Sequence, residues 1–444
     1  MHSRNPYRNP PDFAALARQY LPLKPYVSSA PNGTSTIDFK DPVAQRRLTE
    51  ALLQRDFDIQ LTLPDDRLCP PCLPSRLNYV LWLQDIIEVV SSKVDVVRGV
   101  DIGTGASAIY PLLACKLDPS WIMTATDIDE ASLRSARANV ERNNLCDRIT
   151  VLQAAHNDPI FSLLDVDINT QFDFTMCNPP FYSSAEEIAS SSDAKEYGPS
   201  AVCTGVDVEM ITPGGESEFV TRMVTESLRH KSRCRWFTSM LGKMSTVPVV
   251  VALLRLNKID NYAITEFVQG QTRRWAIAWS FGTSRLPDTL ARISQPALQA
   301  IMPSRNTLRQ PFPDSHSVEH LAEALKSVLE LIDGVRYTPV EAVSTDCRPS
   351  AFTVEAATNS WSRAARRRKA SVEDGQTLMP TFAALRCRIE CLDNSWPGSG
   401  ERRVVEGPRF KLEFVWVEGK ERTFFESFVS HVSKKVGLGI LAAG

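Results

Sequence analysis

Strand and helix signals alternate along the middle of this chain, and that alternation constrains its fold more than any other feature. "VVRGVDIG" reads as a buried strand, "ASAIYPLLACKL" as a helix and "WIMTATDID" as a second strand. "DEASLRSARANVERNN" is an amphipathic helix with Asp129 at its N-cap and Leu133, Ala136 and Val140 inward. "RITVLQA" and "FDFTMCNPPF" follow as strands, "SEFVTRMVTESLRH" as a helix, and "RCRWFTSML" and "RWAIAWSF" as further strands. Parallel strands need crossovers and helices fill them, so a doubly wound parallel α/β sheet is expected.

The remaining chain frames this sheet. At 444 residues it exceeds what one core organises, so it divides into an arm or cap over 1–75, a sheet domain over 76–285 and a smaller α+β domain over 286–444. In the last, "SVEHLAEALKSVLELI" and "RTFFESFVSHVSKKV" read as helices, and "LRCRIECL" and "RFKLEFVWVEG" alternate with period two, as half-buried strands do. "SRLPDTLARISQP" is the candidate linker. A hydrophobic fraction of 43% with 23% charged residues fits a folded, soluble chain. "MHSRNPYRNPPDF" has no apolar signal region, and the longest apolar run, "VPVVVALLRL", is too short to span a bilayer, so an intracellular protein with no membrane partner is expected. Of ten cysteines, Cys69 and Cys72 form a C-x-x-C with no second ligand pair, so no metal is expected.

Two stretches carry chemistry. In "GVDIGTGASAIYPLL", Gly103 and Gly105 let backbone approach a ligand at a strand–helix turn, and Asp127 in "TATDID" suits ribose hydroxyls. A dinucleotide fingerprint needs a third glycine where Ala106-Ser107-Ala108 stands. Asp101, directly before the glycines, points instead to S-adenosylmethionine, whose methionine ammonium it can meet. "MCNPPFY" then ends the fourth strand at the same crevice. Its prolines remove backbone donors and hold Asn178 extended. The Asn178 side-chain oxygen and the Pro179 carbonyl can accept both N–H bonds of a planar amine, Pro180 stiffens the turn, and Phe181 can stack on the ring that bears the amine. That amine is adenine N6 in an unpaired nucleotide or a glutamine side-chain amide; the motif fits both. The serine-rich segment from Ser183 reads as a lid.

Nucleic acid is favoured by local charge, although the net charge of −2 excludes a wholly basic binder. "RHKSRCRW" groups Arg229, Lys231, Arg233 and Arg235, "GQTRRW" adds Arg273 and Arg274, and the arm adds Arg4 and Arg8. "SWSRAARRRKA" places Arg366, Arg367 and Arg368 near Trp361, a pattern suited to phosphates with stacked bases, and it is a weak nuclear-import candidate.

These blocks together resemble the methyltransferase-like protein 16 family, whose members methylate adenosine N6 in U6 small nuclear RNA, and the related bacterial enzymes acting on adenine in large-subunit ribosomal RNA. The resemblance runs from "RNPYRNPPDFAALARQY" through "LPSRLNYVLWLQDII", "CNPPFY", "GGESEFV" and "MLGK" to "FVQGQTRRWAIAWSF". "TVEAATNSWSRAARRRKA" and "VWVEGKERTFF" are similar to the family's eukaryotic RNA-binding extension, which favours a spliceosomal substrate. The resemblance implies a Rossmann-like class I S-adenosylmethionine-dependent methyltransferase fold with a C-terminal α+β RNA-binding domain, working in the nucleus or cytoplasm on structured RNA. It also implies cofactor contacts from Arg76, Gly103, Ser107, Asp127, Asp158 and Asn178. Relatives often have Glu where Asp127 stands, and "HNDP" lacks the lysine they place in a cofactor-regulating loop. A protein glutamine methyltransferase and a non-catalytic RNA-binding factor are the rival readings.

Overall fold

The computed structural model describes residues 1–29, 33–64, 73–90, 96–166, 170–188, 210–270, 272–340, 351–362, 384–393 and 408–443. Cys69, Cys72, Arg366, Arg367, Arg368 and most of the serine-rich segment lie outside the described residues. The chain forms two compact units, Met1–Phe281 with Leu290–Pro303, and Gly282–Thr289 with Ser304–Gly444. Residues 1–75 are part of the first unit. The linker candidate is ordered chain divided between the two: Arg285 is buried, its guanidinium 4.2 Å from the Trp416 ring centroid and its Nε donating to the Gly419 carbonyl at 3.1 Å.

The first unit begins with helix α1 (Phe13–Gln19), an antiparallel strand pair β1 (Val27–Ser29) and β2 (Ser35–Ile37), and helices α2 (Pro42–Phe57) and α3 (Leu73–Val90). The sheet follows as β3 (Val97–Ile102), β4 (Trp121–Asp127), β5 (Ile149–Gln153), β6 (Phe172–Cys177), β7 (Cys234–Leu241), β8 (Tyr262–Gln269) and β9 (Thr272–Trp279). Helices α4 (Ile109–Leu117), α5 (Glu130–Arg142), α6 (Gly215–Ser227) and α7 (Thr246–Leu256) lie between strands in the chain. Strand order is β5-β4-β3-β6-β7-β9-β8. All six residues of β6 are buried, as a central strand covered on both faces requires. Asp129 caps α5 as expected, accepting the Ser132 N–H at 2.8 Å.

The sheet is mixed, not wholly parallel. Strands β3 to β7 are parallel, whereas β9 lies antiparallel between β7 and β8. A tight connection between β8 and β9 can join only antiparallel neighbours, and it returns the start of β9 to the carboxyl end of β7.

The second unit is a five-stranded antiparallel sheet, not the two strands that alternation reveals. Its strands are β10 (Thr307–Pro311), β11 (Val335–Pro339), β12 (Ala351–Ala356), β13 (Leu385–Asp393) and β14 (Phe410–Glu418), ordered β10-β14-β13-β12-β11. Helices α8 (Val318–Glu330) and α9 (Arg422–Ala443) contribute Leu321, Leu325, Phe425, Phe428 and Val432 to one core with Phe352, Ile389, Leu412 and Phe414. Trp361 belongs to that core. It packs edge-on to Phe428 at 5.0 Å and its indole N–H donates to Ser427 Oγ at 2.9 Å, so it is not a surface on which a base can stack.

Two glycines test this packing. A Cβ on Gly99 in β3 would stand 2.6 Å from Met123 Sδ and closer still to the Phe174 ring. Gly99→Ala is therefore expected to lose roughly 1–3 kcal/mol, read as a lower urea midpoint. Gly437, inside α9, has a neighbour only at 4.0 Å, so Gly437→Ala is expected to be neutral or to gain up to about 1 kcal/mol.

Candidate active site

The carboxyl ends of β3, β4 and β6 meet at one crevice, where open parallel sheets hold ligands. At the end of β3, Gly103 and Gly105 take φ of +70° and +65°, and the space where their side chains would stand is empty to 4 Å. The Gly103 and Thr104 N–H groups both donate to the Thr126 carbonyl at 2.9 Å, so the turn is pinned to β4 and its glycine face stays open. Asp127, at the end of β4, accepts the Gly105 N–H through Oδ2 at 2.8 Å and the Asp129 N–H through Oδ1 at 3.0 Å. Each oxygen keeps lone-pair capacity for a hydroxyl. Burial raises the Asp127 pKa, and those N–H bonds work against the rise.

Asp101 is fully buried in β3, and neither carboxylate oxygen has a partner in hydrogen-bond geometry. Burial pushes its pKa up to about 7, with Asp127 adding to the rise, while the nearby Thr104 hydroxyl and Arg76 pull the other way. An unpaired buried carboxyl costs free energy unless a donor completes it. An ammonium group would do so.

The other end of the crevice is built at β6. Strand pairing between β6 and β7 reaches Thr175 opposite Phe237 and stops. The hydroxyl of Tyr79, from α3, bridges the parted strands: it bonds Thr238 Oγ1 at 2.6 Å and accepts the Cys177 N–H at 3.4 Å. Asn178 follows, with its Oδ1 buried and unpartnered. Pro179 is buried, and Pro180 and Phe181 are partly exposed. The Arg274 guanidinium lies 5.6 Å from the Phe181 ring centroid. Sequence reading singled out Arg274 for charge alone; the antiparallel β9 brings it to Phe181.

Arg76 stands on α3, its Nη1 donating to Tyr110 Oη at 2.7 Å, and Tyr110 in turn donates to Met240 Sδ at 3.0 Å. Ser107 Oγ accepts the Ile109 N–H at 3.3 Å, at the start of α4. Asp158 is exposed on the turn after β5, at the same end of the sheet. Tyr79, Tyr110 and Met240 were not readable as site residues, because in sequence they are ordinary core side chains.

The basic residues do not form one face. Arg229, Lys231, Arg233 and Arg235 cluster around the start of β7, where the Arg233 carbonyl accepts the Phe172 N–H at 2.8 Å. That is the amino end of the parallel strands, opposite Asn178, so this run does not adjoin the crevice. Arg235 pairs with Asp173 at 3.4 Å, and Arg233 Nε donates to the Leu164 carbonyl at 3.2 Å. Arg4 is held by Asp85 at 2.5 Å and by the Leu81 carbonyl, whereas Arg8 is exposed. Arg273 is exposed and pairs with Glu266 at 2.9 Å. Among the described residues, no three His, Cys, Asp or Glu side chains group as metal ligands, and no helix is long and apolar enough to cross a membrane.

The chain that carries this glycine turn and N-P-P-F turn is similar to known proteins. Residues 1–283 fit the Methyltransf_10 family of RNA methyltransferases. The chain belongs to this family. It is 42% identical to the mouse RNA N(6)-adenosine-methyltransferase METTL16 over 285 residues, which are 63% of this chain and 51% of that protein. The chain thus spans about half the length of its vertebrate relatives. It is 34% identical to the U6 small nuclear RNA (adenine-(43)-N(6))-methyltransferase of Schizosaccharomyces pombe over 403 residues, covering 90% of this chain and 94% of that protein. Among solved structures, the human METTL16 catalytic domain in complex with a MAT2A 3′UTR hairpin matches at a TM-score of 0.58 with 42% identity, covering 63% of this chain and 95% of that one. The human N-terminal domain in complex with SAH matches at 0.54 with 40% identity, covering 63% and 98%. These likenesses establish the class I methyltransferase fold of the first unit.

The raised pKa of Asp101 fixes a sign. Its folded value of about 7 exceeds the ordinary 3.8, so the folded state binds the proton more tightly and this group's contribution to stability falls as pH rises from about 4 to 7. The stability of wild type relative to Asp101→Asn is therefore expected to decline across that window and to level off above it, read from urea midpoints at several pH values without added ligand.

Proposed function

We propose that this chain is an S-adenosylmethionine-dependent RNA methyltransferase acting on adenosine N6 in a structured RNA of the U6 small nuclear RNA type. The observation that carries the reading is the unpartnered Asn178 Oδ1, in the residue that precedes Pro179, two residues beyond the Met176 that pairs with the equally unpartnered Asp101. Strands β3 and β6 are direct neighbours, so the two unmet polar groups stand close together at the carboxyl end of the sheet.

The residues fit the cofactor. Asp101 would meet the methionine ammonium, the open glycine turn would admit close approach, and Asp127 would take the ribose hydroxyls. Arg76, Ser107 and Asp158 line or flank the same end of the sheet. S-adenosylmethionine, when bound, supplies an electrophilic methyl group on a sulfonium sulfur.

The rest follows from the chain's own groups. Asn178 Oδ1 and the Pro179 carbonyl accept the two N–H bonds of the adenine amine and hold its nitrogen in line for attack. Phe181 stacks the base, with Arg274 on the ring adding positive charge toward the RNA. As the N–C bond forms, the S–C bond breaks and its electron pair stays on sulfur. The extra proton on N6 leaves to solvent, because neither carbonyl oxygen is basic enough to keep it. The rate gain comes from positioning and oriented dipoles rather than a strong base. The second unit is read as additional RNA-binding surface, supported by the fission yeast relative that matches along nearly its whole length. A location in the nucleus or cytoplasm follows from that substrate alone.

The test is transfer of labelled methyl from S-adenosylmethionine to total cellular RNA by wild type and Asn178→Ala. The expected result is labelled N6-methyladenosine in a small nuclear RNA, reduced on the order of 100-fold or more in the variant. Label on protein amides, or RNA binding without transfer by either protein, would overturn the reading.

A further inference from the structure

Two sequence blocks remain without a role in holding amine or cofactor, "GGESEFV" and "MLGK", and the fold joins them behind Phe181. Gly214, which caps α6, and Gly215, its first residue, take φ of +73° and +65°. A Cβ on Gly215 would stand 3.3 Å from the Ser183 nitrogen and 3.6 Å from the Phe181 carbonyl oxygen, so the chain passes close under the N-P-P-F turn. The next residue, Glu216, is 1% exposed. Its carboxylate accepts the Gly242 N–H through one oxygen and the Lys243 N–H through the other at 3.2 Å.

Gly242 touches the ring itself. A Cβ there would lie 2.5 Å from Phe181 Cδ1 and 2.7 Å from Cε1. Lys243 continues the contact network: it pairs with Glu187 and lies 5.5 Å from the Tyr182 ring centroid. Glu187 in turn accepts the Ser183 N–H and hydroxyl, both at 2.7 Å. The Lys243 ammonium and the Ser183 donors hold its carboxyl down at about 2. One buried carboxylate thus fixes a turn that meets the proposed stacking ring and the two residues Tyr182 and Glu187 that follow it.

We infer that Glu216 is a positioning residue for the target base: it fixes the 242–243 turn, and the bare Gly242 sets where the Phe181 ring stands. The inference rests on the reading of Phe181 as the stacking surface. These contacts of Glu216 and Gly242 include none to Asp101, the glycine turn or Asp127, so their loss is expected to act on the RNA step and to spare cofactor binding.

The experiment compares steady-state methyl transfer and calorimetric S-adenosylmethionine affinity for wild type, Gly242→Ala, Glu216→Gln, Phe181→Ala and the Phe181→Ala/Gly242→Ala double variant. Gly242→Ala is expected to lower kcat/KM for RNA about 10- to 100-fold with cofactor Kd within about twofold of wild type. Glu216→Gln, which keeps one acceptor oxygen, moves in the same direction by less. In the Phe181→Ala background the Gly242 substitution is expected to lose most of its effect, because the ring it displaces is gone and only its 3.0 Å approach to Glu216 Oε2 remains. A full multiplicative loss in the double variant, or a cofactor Kd that shifts as much as kcat/KM, would overturn the inference and leave Glu216 as general support. Unchanged transfer by Phe181→Ala would overturn the stacking reading, and this inference with it. Gly242→Ala keeps the test decisive should Glu216→Gln fail to fold.

Discussion

The site depends on a carboxyl group that the fold strands in the sheet. Asp101 is fully buried on β3, without a hydrogen-bond partner, and a natural core rarely tolerates that. Removing a carboxylate from water costs several kcal/mol, which is why its proton is held to about pH 7. The neighbouring backbone cannot relieve it: the Gly103 and Thr104 N–H groups are spent on Thr126, and the Gly105 N–H on Asp127. The crevice is therefore organised around one carboxyl group without a partner. A ligand that brings a cation gains affinity, and one without it leaves the cost in place.

The second half of the crevice obeys a different logic. Where Asp101 waits for a donor, Asn178 offers an acceptor, and rigidity replaces charge. The prolines fix the backbone, the Tyr79 hydroxyl closes the gap where β6 leaves β7, and the contacts behind Phe181 fix the ring. The two halves lie on adjacent strands and use separate supports. The proposed cofactor contacts and the proposed placement of the base can consequently be altered one at a time.

Much of the cofactor half was legible in sequence because its signals are local. The D-I-G-T-G turn, the acid after the second strand and the N-P-P-F turn each state their backbone geometry within a few residues. The parts that were missed depend on long-range placement. The antiparallel β8 was not recognised, and with it went the reason that Arg274 reaches Phe181. Strands β10 and β11 bury little, so they lack the alternation that exposed β13 and β14. The run around Arg229 lies at the amino end of β7, which could not be read in advance because sequence cannot say which end of a strand a charge occupies. Trp361 looked like a stacking platform beside arginines and is a core residue. Glu216 and Gly242 carry no local signal, since 26 residues separate the carboxylate from the N–H it holds.

Proton release on cofactor binding tests the Asp101 account most directly. With a pKa of about 7 in the free protein, Asp101 is about nine-tenths protonated at pH 6, and pairing with an ammonium must expel that proton. Calorimetry of S-adenosylmethionine binding at pH 6, in buffers of different ionisation enthalpy, would count it. Close to one proton released per cofactor by wild type, and none by Asp101→Asn, is expected. Tight binding with no proton released by wild type would contradict the pairing.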